Sequence, residues 1–256
     1  MSYFCLYPMR FLLTFIIILF SHLAMQSQSA ITALEQGQDI NVLYRNEATG
    51  GITVHSRGFG IDYKRLKHVT GTRKRFIDFE LVGMKHPKEF KVRYEGKGNT
   101  KSFYYGKLNN VAIFRLGLGM QTTLYRRAER KSVEIRCSYS LGPNLAFAKP
   151  VFLYVFHEKI KDPLIEQYDP DKHELADIAG RAPFVYGMDK MKFYPGGFVK
   201  LGFSFDFADF KNEIKAIETG VVLDVFPQGL PIMAHNVKEQ GIITLYISFV
   251  FGKKWF

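Results

Sequence analysis

IITLYISFVFGKKWF, residues 242–256, ends the chain and carries the clearest signal of its architecture. Large apolar residues alternate with small or polar ones, which places them on opposite sides of an extended strand. Ile243, Leu245, Ile247, Phe249 and Phe251 share one side. The stretch therefore predicts a long β-strand with one apolar face.

The N-terminus predicts an export signal. Arg10 precedes the apolar run Phe11–Phe20, and small residues between 24 and 30 offer cleavage positions, so residues 1–29 are interpreted as a signal peptide. A membrane-anchoring helix is the alternative, but it needs about 20 consecutive apolar residues, and Ser21 interrupts this run.

The remaining chain is long enough for one all-β domain. We expect a lead-in segment at 30–50 and a barrel domain at 51–256. The net charge of +11 becomes +10 without Arg10, which favours acidic partners such as lipopolysaccharide and excludes nucleic acid for an exported chain. Cys5 would leave with the signal, so Cys137 could form no internal disulfide.

Eight alternating stretches follow, and an even number is typical of bacterial barrels. They lie at about 51–67, 73–86, 111–126, 131–143, 149–160, 194–210, 213–226 and 240–252. Ten strands are the alternative, with further strands at 42–48 and 90–105.

Alternation alone leaves the direction of the faces open, because a soluble lipocalin-like barrel shows the same pattern with its apolar side inside. Uniformly large apolar faces, glycines on the polar faces and the terminal aromatic Phe256 favour apolar side chains outward. The prediction is an antiparallel up-and-down transmembrane β-barrel in the outer membrane, which would meet the barrel-assembly machinery during insertion.

With both termini in the periplasm, these strands place the connections near 68–72, 127–130, 161–193 and 227–239 outside the cell. The connections near 87–110, 144–148 and 211–212 would be periplasmic. The length of 87–110 is unusual for a periplasmic turn. It suggests either a docking surface for a periplasmic protein partner or a loop that plugs the inner mouth.

Six short motifs support a family resemblance: His86-Pro87-Lys88-Glu89, Tyr105-Gly106-Lys107-Leu108-Asn109, Lys149-Pro150-Val151, Gly180-Arg181-Ala182-Pro183-Phe184, Glu218-Thr219-Gly220-Val221 and Pro231-Ile232-Met233-Ala234. In this combination the chain resembles a family of exported barrel proteins from Bacteroidetes-type bacteria, over nearly all of its mature length. The resemblance implies an outer-membrane location and a barrel fold, and it implies no activity.

Charged residues on the polar faces predict a network inside the barrel, because buried ions must be paired. The predicted network contains Asp62, Asp78, Glu80, Arg115, Glu134, Arg136, Lys200, Asp206, Glu218 and Asp224. We expect Arg115 at its centre, between strands that carry Asp78, Glu80 and Glu134. A structural plug is the simplest interpretation, and a proton or ion path is the alternative.

A second, basic set crowds two predicted hairpins on the outer side. It contains Lys64, Arg65, Lys67, Arg73, Lys74, Arg75, Arg126, Arg127, Arg130 and Lys131. Such residues at the headgroup level can bind lipopolysaccharide phosphates. A generic solvated rim explains them equally well.

Two other patterns give weak signals of a metal site and of a catalytic pair. Asp169, Asp171 and His173 place oxygen and imidazole ligands close together, but a calcium loop needs several oxygen ligands with a glycine at the turn, and Lys172 would repel the ion, so a polar turn is expected. His55-Ser56 lacks a nucleophile elbow. We expect no metal and no cofactor.

The expected role is that of a non-catalytic envelope protein, structural or binding, that contacts lipopolysaccharide or a protein partner. A lipid-modifying enzyme and a narrow channel are the alternatives.

Overall fold

Eight long strands dominate the computed structural model, which describes residues 46–93, 101–126, 132–157, 160–208 and 212–255. The barrel strands are β1 (Asn46–His55), β2 (Gly58–His68), β3 (Arg73–Met84), β6 (Asn109–Tyr125), β7 (Glu134–Pro150), β11 (Lys192–Asp206), β12 (Glu213–Leu230) and β13 (Glu239–Trp255). The predicted signal peptide 1–29, most of the predicted lead-in and Phe256 lie outside the described residues. Within the described ranges, no helix is long and apolar enough to cross a membrane.

Each barrel strand pairs antiparallel with the barrel strand before it and the one after it, and β1 pairs with β13 to close the ring. The prediction of an antiparallel up-and-down barrel with eight strands is confirmed. Closure leaves no sheet edge with unpaired backbone groups, which is the condition for β-structure in a lipid environment.

The first predicted strand, 51–67, is wrong: it is a hairpin of β1 and β2 joined by Ser56 and Arg57. Among the described residues, the first barrel strand already includes Asn46, which the prediction placed in the lead-in segment. The sequence signal was a change of phase. Apolar residues occupy even positions at Ile52 and Val54 but odd positions from Phe59 onward, and such a change of parity indicates a turn or a β-bulge between them.

The predicted strands 131–143 and 149–160 are also corrected. One strand, β7, continues through Pro143 to Pro150, and 149–160 contributes no further barrel strand. The ladder between β6 and β7 is interrupted opposite Gly142 and Pro143. A proline is tolerated there because its missing N–H falls in the interruption.

The long connections fold into a small cap. It contains β4 (Lys91–Val92), β5 (Phe103–Tyr104), β8 (Phe152–His157), β9 (Ile160–Gln167), the 3-10 helix Leu175–Asp177 and β10 (Ile178–Arg181). β10, β8 and β9 form one sheet, and β4 pairs with β5. Their side chains share an apolar cluster that includes Phe103, Leu153, Tyr168 and Ile178, so the cap has a core of its own.

The new strand assignment reverses several connections. One barrel end, the terminal end, holds Asn46, Trp255, the turn at 69–72 and the strand ends at Tyr125, Glu134, Asp206 and Glu213. The opposite end, the loop end, holds 56–57, 231–238 and the described parts of the connections 85–108 and 151–191. Asn46 and Trp255 thus share an end with the short turn at 69–72, and the described parts of the long connection near 87–110 lie at the other end, contrary to the predicted topology.

Candidate functional site

The barrel exposes its apolar side chains and buries its charges. Leu118 and Ile243 are about two-thirds exposed (65% and 66%), whereas Arg115 is 2% exposed. All eight barrel strands carry exposed large apolar residues on their outer face. The pattern is the inverse of that in a water-soluble barrel, and it builds a charged site along the lumen.

The centre of the lumen is Arg115 on β6. Its Nε and Nη2 donate to the two carboxylate oxygens of Asp224 at 2.9 and 2.6 Å, and its Nη1 lies 3.0 Å from Glu80. Asn144 donates to the same Asp224 at 2.8 Å. Of the three acids expected on the strands beside Arg115, Glu80 pairs with it, whereas Asp78 lies near Lys200 and Glu134 pairs with Arg136.

A second group of ion pairs, centred on Lys200, lies beside Arg115. Lys200 Nζ is 3.0 Å from Glu80 Oε2 and 4.0 Å from Asp78 Oδ2, and it lies over the Tyr246 ring, 4.4 Å from the centroid. Lys64 donates to both oxygens of Glu218 at 2.7 Å. Tyr246, which lies under Lys200, donates to Glu218 at 2.7 Å. It thereby connects the ion pairs of Lys200 with the ion pair between Lys64 and Glu218.

A separate group lies toward the terminal end. Lys74 donates to both oxygens of Glu47 at 2.8 and 3.0 Å. Arg136 bridges Asp206 and Glu134, each at 2.7 Å. Charges of opposite sign therefore neutralise each other within the lumen, as buried ions require.

Apolar side chains fill the lumen toward the loop end. The cluster there includes Val82, Ile113, Phe226, Leu230 and Ile242, all with zero exposure. A smaller cluster of Phe198, Val222 and Tyr246 packs within the lumen. Such packing is typical of a barrel whose interior is filled by side chains.

Every residue of the predicted lumen network points into the barrel interior, with Glu134 only partly buried. The prediction missed Glu47, Asn144 and Tyr246. Glu47 shares the odd parity of Thr49 and Thr53 and could have been found by extending the alternation upstream of residue 51. Asn144 was hidden because Gly142-Pro143 suggested a turn.

The basic set divides between the two faces of the wall. Lys64 and Lys74 are wrong as surface-binding residues, because both lie in the lumen and are paired with Glu218 and Glu47. The exposed members are Arg65, Lys67, Arg73, Arg75 and Arg126. We name these five the terminal rim, because they lie at the terminal end of the barrel. Arg127, Arg130 and Lys131 lie outside the described residues.

The terminal rim lies at the same barrel end as Asn46 and Trp255. The predicted strand order had placed these residues at the end opposite the two termini.

The weak catalytic and metal patterns gain no support. His55 points into the lumen, whereas Ser56 is exposed in the turn, because neighbouring residues of a strand face opposite ways. In the 169–173 turn, Lys172 pairs with Asp169 at 3.2 Å. No group of three or more metal-binding side chains occurs among the residues that the structure describes.

No protein-family model matches the sequence, and a comparison with curated proteins finds no match. Solved structures give low-similarity matches. Ail, the attachment invasion locus protein of Yersinia pestis, matches at 6% identity and a TM-score of 0.39, over 83% of this chain and 100% of its own.

Two other solved structures match at similar levels. Neisserial surface protein A matches at 10% identity and a TM-score of 0.40, over 82% of this chain and 96% of its own. The outer membrane protein OprG from Pseudomonas aeruginosa matches at 8% identity and a TM-score of 0.34, over the same two fractions.

Proposed function

We propose that the protein spans the outer membrane as a closed, plugged barrel and acts as a non-catalytic structural or binding protein of the envelope. The observation that carries this proposal is the exposed apolar surface around all eight barrel strands, wrapped over a lumen of paired charges. In water this surface would far exceed the apolar patches of soluble proteins. In lipid it is the expected exterior.

The proposed orientation places the termini and short turns in the periplasm and the cap outside the cell. Outer-membrane barrels have short periplasmic turns and long external loops, and the described connections divide in this way between the two ends. The terminal rim would then contact anionic phospholipid of the inner leaflet. A protein partner at 87–110 would dock from outside the cell, because this connection belongs to the cap end.

The filled lumen favours a non-conducting barrel over a narrow channel. The apolar cluster at the loop end and the ion pairs at the centre fill the lumen with side chains, which does not favour a permeating solute. The lipid-modifying enzyme is not favoured by any contact of His55 or Ser56. Lipopolysaccharide and the barrel-assembly machinery remain the proposed partners of the folded and the inserting chain.

Heat modifiability on unboiled gels, applied to protein from isolated outer membranes, tests the proposal. A membrane-fraction protein whose mobility changes on boiling supports it. A protein found only in the soluble fraction would contradict it.

A further inference from the structure

A cleft opens at the loop end of the barrel wall. It lies where the ends of β2, β3, β6 and β7 meet the segment 181–186, and its volume is about 340 Å³. Four cationic residues line it, Lys85, Lys107, Lys149 and Arg181, and no Asp or Glu is among its described lining residues. The cleft is distinct from the lumen network and from the terminal rim.

One of these cations, Lys149, is held in place by contacts with the segment 184–186. Lys149 is 7% exposed, and its Nζ donates to the backbone carbonyl oxygens of Phe184 at 2.5 Å and of Tyr186 at 3.0 Å. The same Nζ lies 4.2 Å from the centroid of the Phe184 ring. Among the described residues, no carboxylate forms an ion pair with Lys149.

Only one of the cations that line the cleft, Lys107, forms an ion pair among the described residues. Lys107 pairs with Glu89 at 2.8 Å, whereas neither Lys85 nor Arg181 has an ion-pair partner in the described part of the chain. Burial, together with the nearby charges of Lys85 and Arg181, holds the pKa of Lys107 below its usual range. Cations gathered in this way repel one another until an anion binds between them.

The other side of the cleft is apolar and exposed. Phe59 is 67% exposed and is the last outward apolar residue of β2 toward the loop end, and Phe184 is 72% exposed. Phe152 and Tyr186 complete this side. The cleft thus joins a cationic pocket to the edge of the apolar exterior, at the level where lipid headgroups meet acyl chains.

We propose that the cleft binds a phosphate group of an acylated, phosphorylated lipid headgroup in the outer leaflet, which is the chemistry of lipopolysaccharide. Lysine and arginine donate charge-assisted hydrogen bonds to phosphate oxygens, and the aromatic side chains pack on the first acyl carbons. The inference rests on the proposed outer-membrane location and orientation. It assigns the lipopolysaccharide contact to the cleft and not to the basic hairpins.

The test measures binding of purified lipopolysaccharide to the full chain in detergent micelles. Lys85→Gln/Arg181→Gln removes two exposed cations that make no ion pair among the described residues, so the barrel should still fold. Arg65→Gln/Arg75→Gln removes the same charge from the terminal rim and is the matched control. We expect the cleft variant to lose about tenfold or more in affinity and the control to change less than twofold.

Equal losses in both variants would overturn the site, because they would show general attraction between a basic protein and an anion. Two further probes test the ligand. Dephosphorylated lipopolysaccharide should bind at least tenfold more weakly, and equal binding would overturn the phosphate contact. Inorganic phosphate that binds at the cleft as tightly as the lipid would overturn the lipid assignment.

A third variant tests the buried cation Lys149. The presence of the chain in the membrane fraction separately tests the outer-membrane proposal. Lys149→Met should abolish the cleft's preference for the phosphorylated lipid while heat modifiability persists. A variant that folds and retains full preference would contradict the site. Failure of the outer-membrane proposal would instead appear as loss of the wild-type chain from the membrane fraction, whatever it binds in micelles.

Discussion

Replacing Arg115 with methionine should destabilise the barrel more than any change on its exterior. The substitution removes three hydrogen bonds from the guanidinium, two to Asp224 and one to Glu80. Asp224 keeps Asn144, and Glu80 keeps Lys200, so neither carboxylate loses every partner. Removing one member of a buried ion pair costs about 3 to 5 kcal/mol, and we expect a loss in that range.

The loss is measured by urea unfolding in detergent micelles, with the heat-modifiable band as the folded fraction. Arg65→Met, which removes an exposed arginine from the terminal rim, is the control and should cost less than about 1 kcal/mol. Asp224→Asn combined with Arg115→Met should cost less than the two changes added together, by about 1 to 3 kcal/mol. A loss below about 1 kcal/mol for Arg115→Met, or strict additivity, would refute the assigned centre of the network.

Three other predictions follow from named contacts. Gly119→Ala should destabilise the barrel by about 1 to 3 kcal/mol in urea unfolding, because the added methyl group would overlap the Phe76 ring and the carbonyl oxygen of Tyr139. Gly241→Ala is the matched control and should have little effect, since open space surrounds that position. Equal losses of stability in the two variants would contradict the packing around Gly119. Cys137, partly exposed on the outer parity of β7, should react in membranes with an apolar maleimide but not with a charged thiosulfonate, and rapid reaction with the charged reagent would place it in water. In the cap, the hydrogen bond from His157 lowers the pKa of Glu166. Any stabilisation of the fold by this carboxylate is therefore present above the ordinary carboxyl pKa range and disappears as the pH falls through the lowered pKa. His157→Gln should raise the pKa of Glu166 in an NMR titration, and an unchanged pKa would contradict the contact.

The alternation along single strands predicted the class of fold and most of the buried charges. Val199, Leu201, Phe203 and Phe205 point outward as a group because side chains of a strand alternate strictly. Lys200 and Asp206 point inward for the same reason. A period of two therefore assigns a residue to one face of the wall without knowledge of its neighbours.

Strand boundaries were harder to predict where the turn residues were atypical. Ser56-Arg57 closes a hairpin without the Asn-Gly or Asp-Gly of favoured two-residue turns. In contrast, Gly142-Pro143 suggests a turn and lies within a strand. The missed hairpin inverted the predicted connections at 68–72 and 87–110, which placed the basic residues at the wrong barrel end relative to Asn46 and Trp255. The additional strand predicted at 149–160 then restored the order, so 161–193 and 227–239 were assigned to the end that they occupy.

The sequence by itself determined that the chain forms antiparallel strands, that their apolar faces are large, and that acids and bases share the other face. Only the tertiary structure decided which charges meet. Arg115 and Asp224 are 109 residues apart and lie on strands that do not pair with each other. Their contact depends on closure and register, which bring distant strands across one lumen. The four cations of the cleft are likewise gathered from four separate segments, because the cap folds back onto the barrel wall.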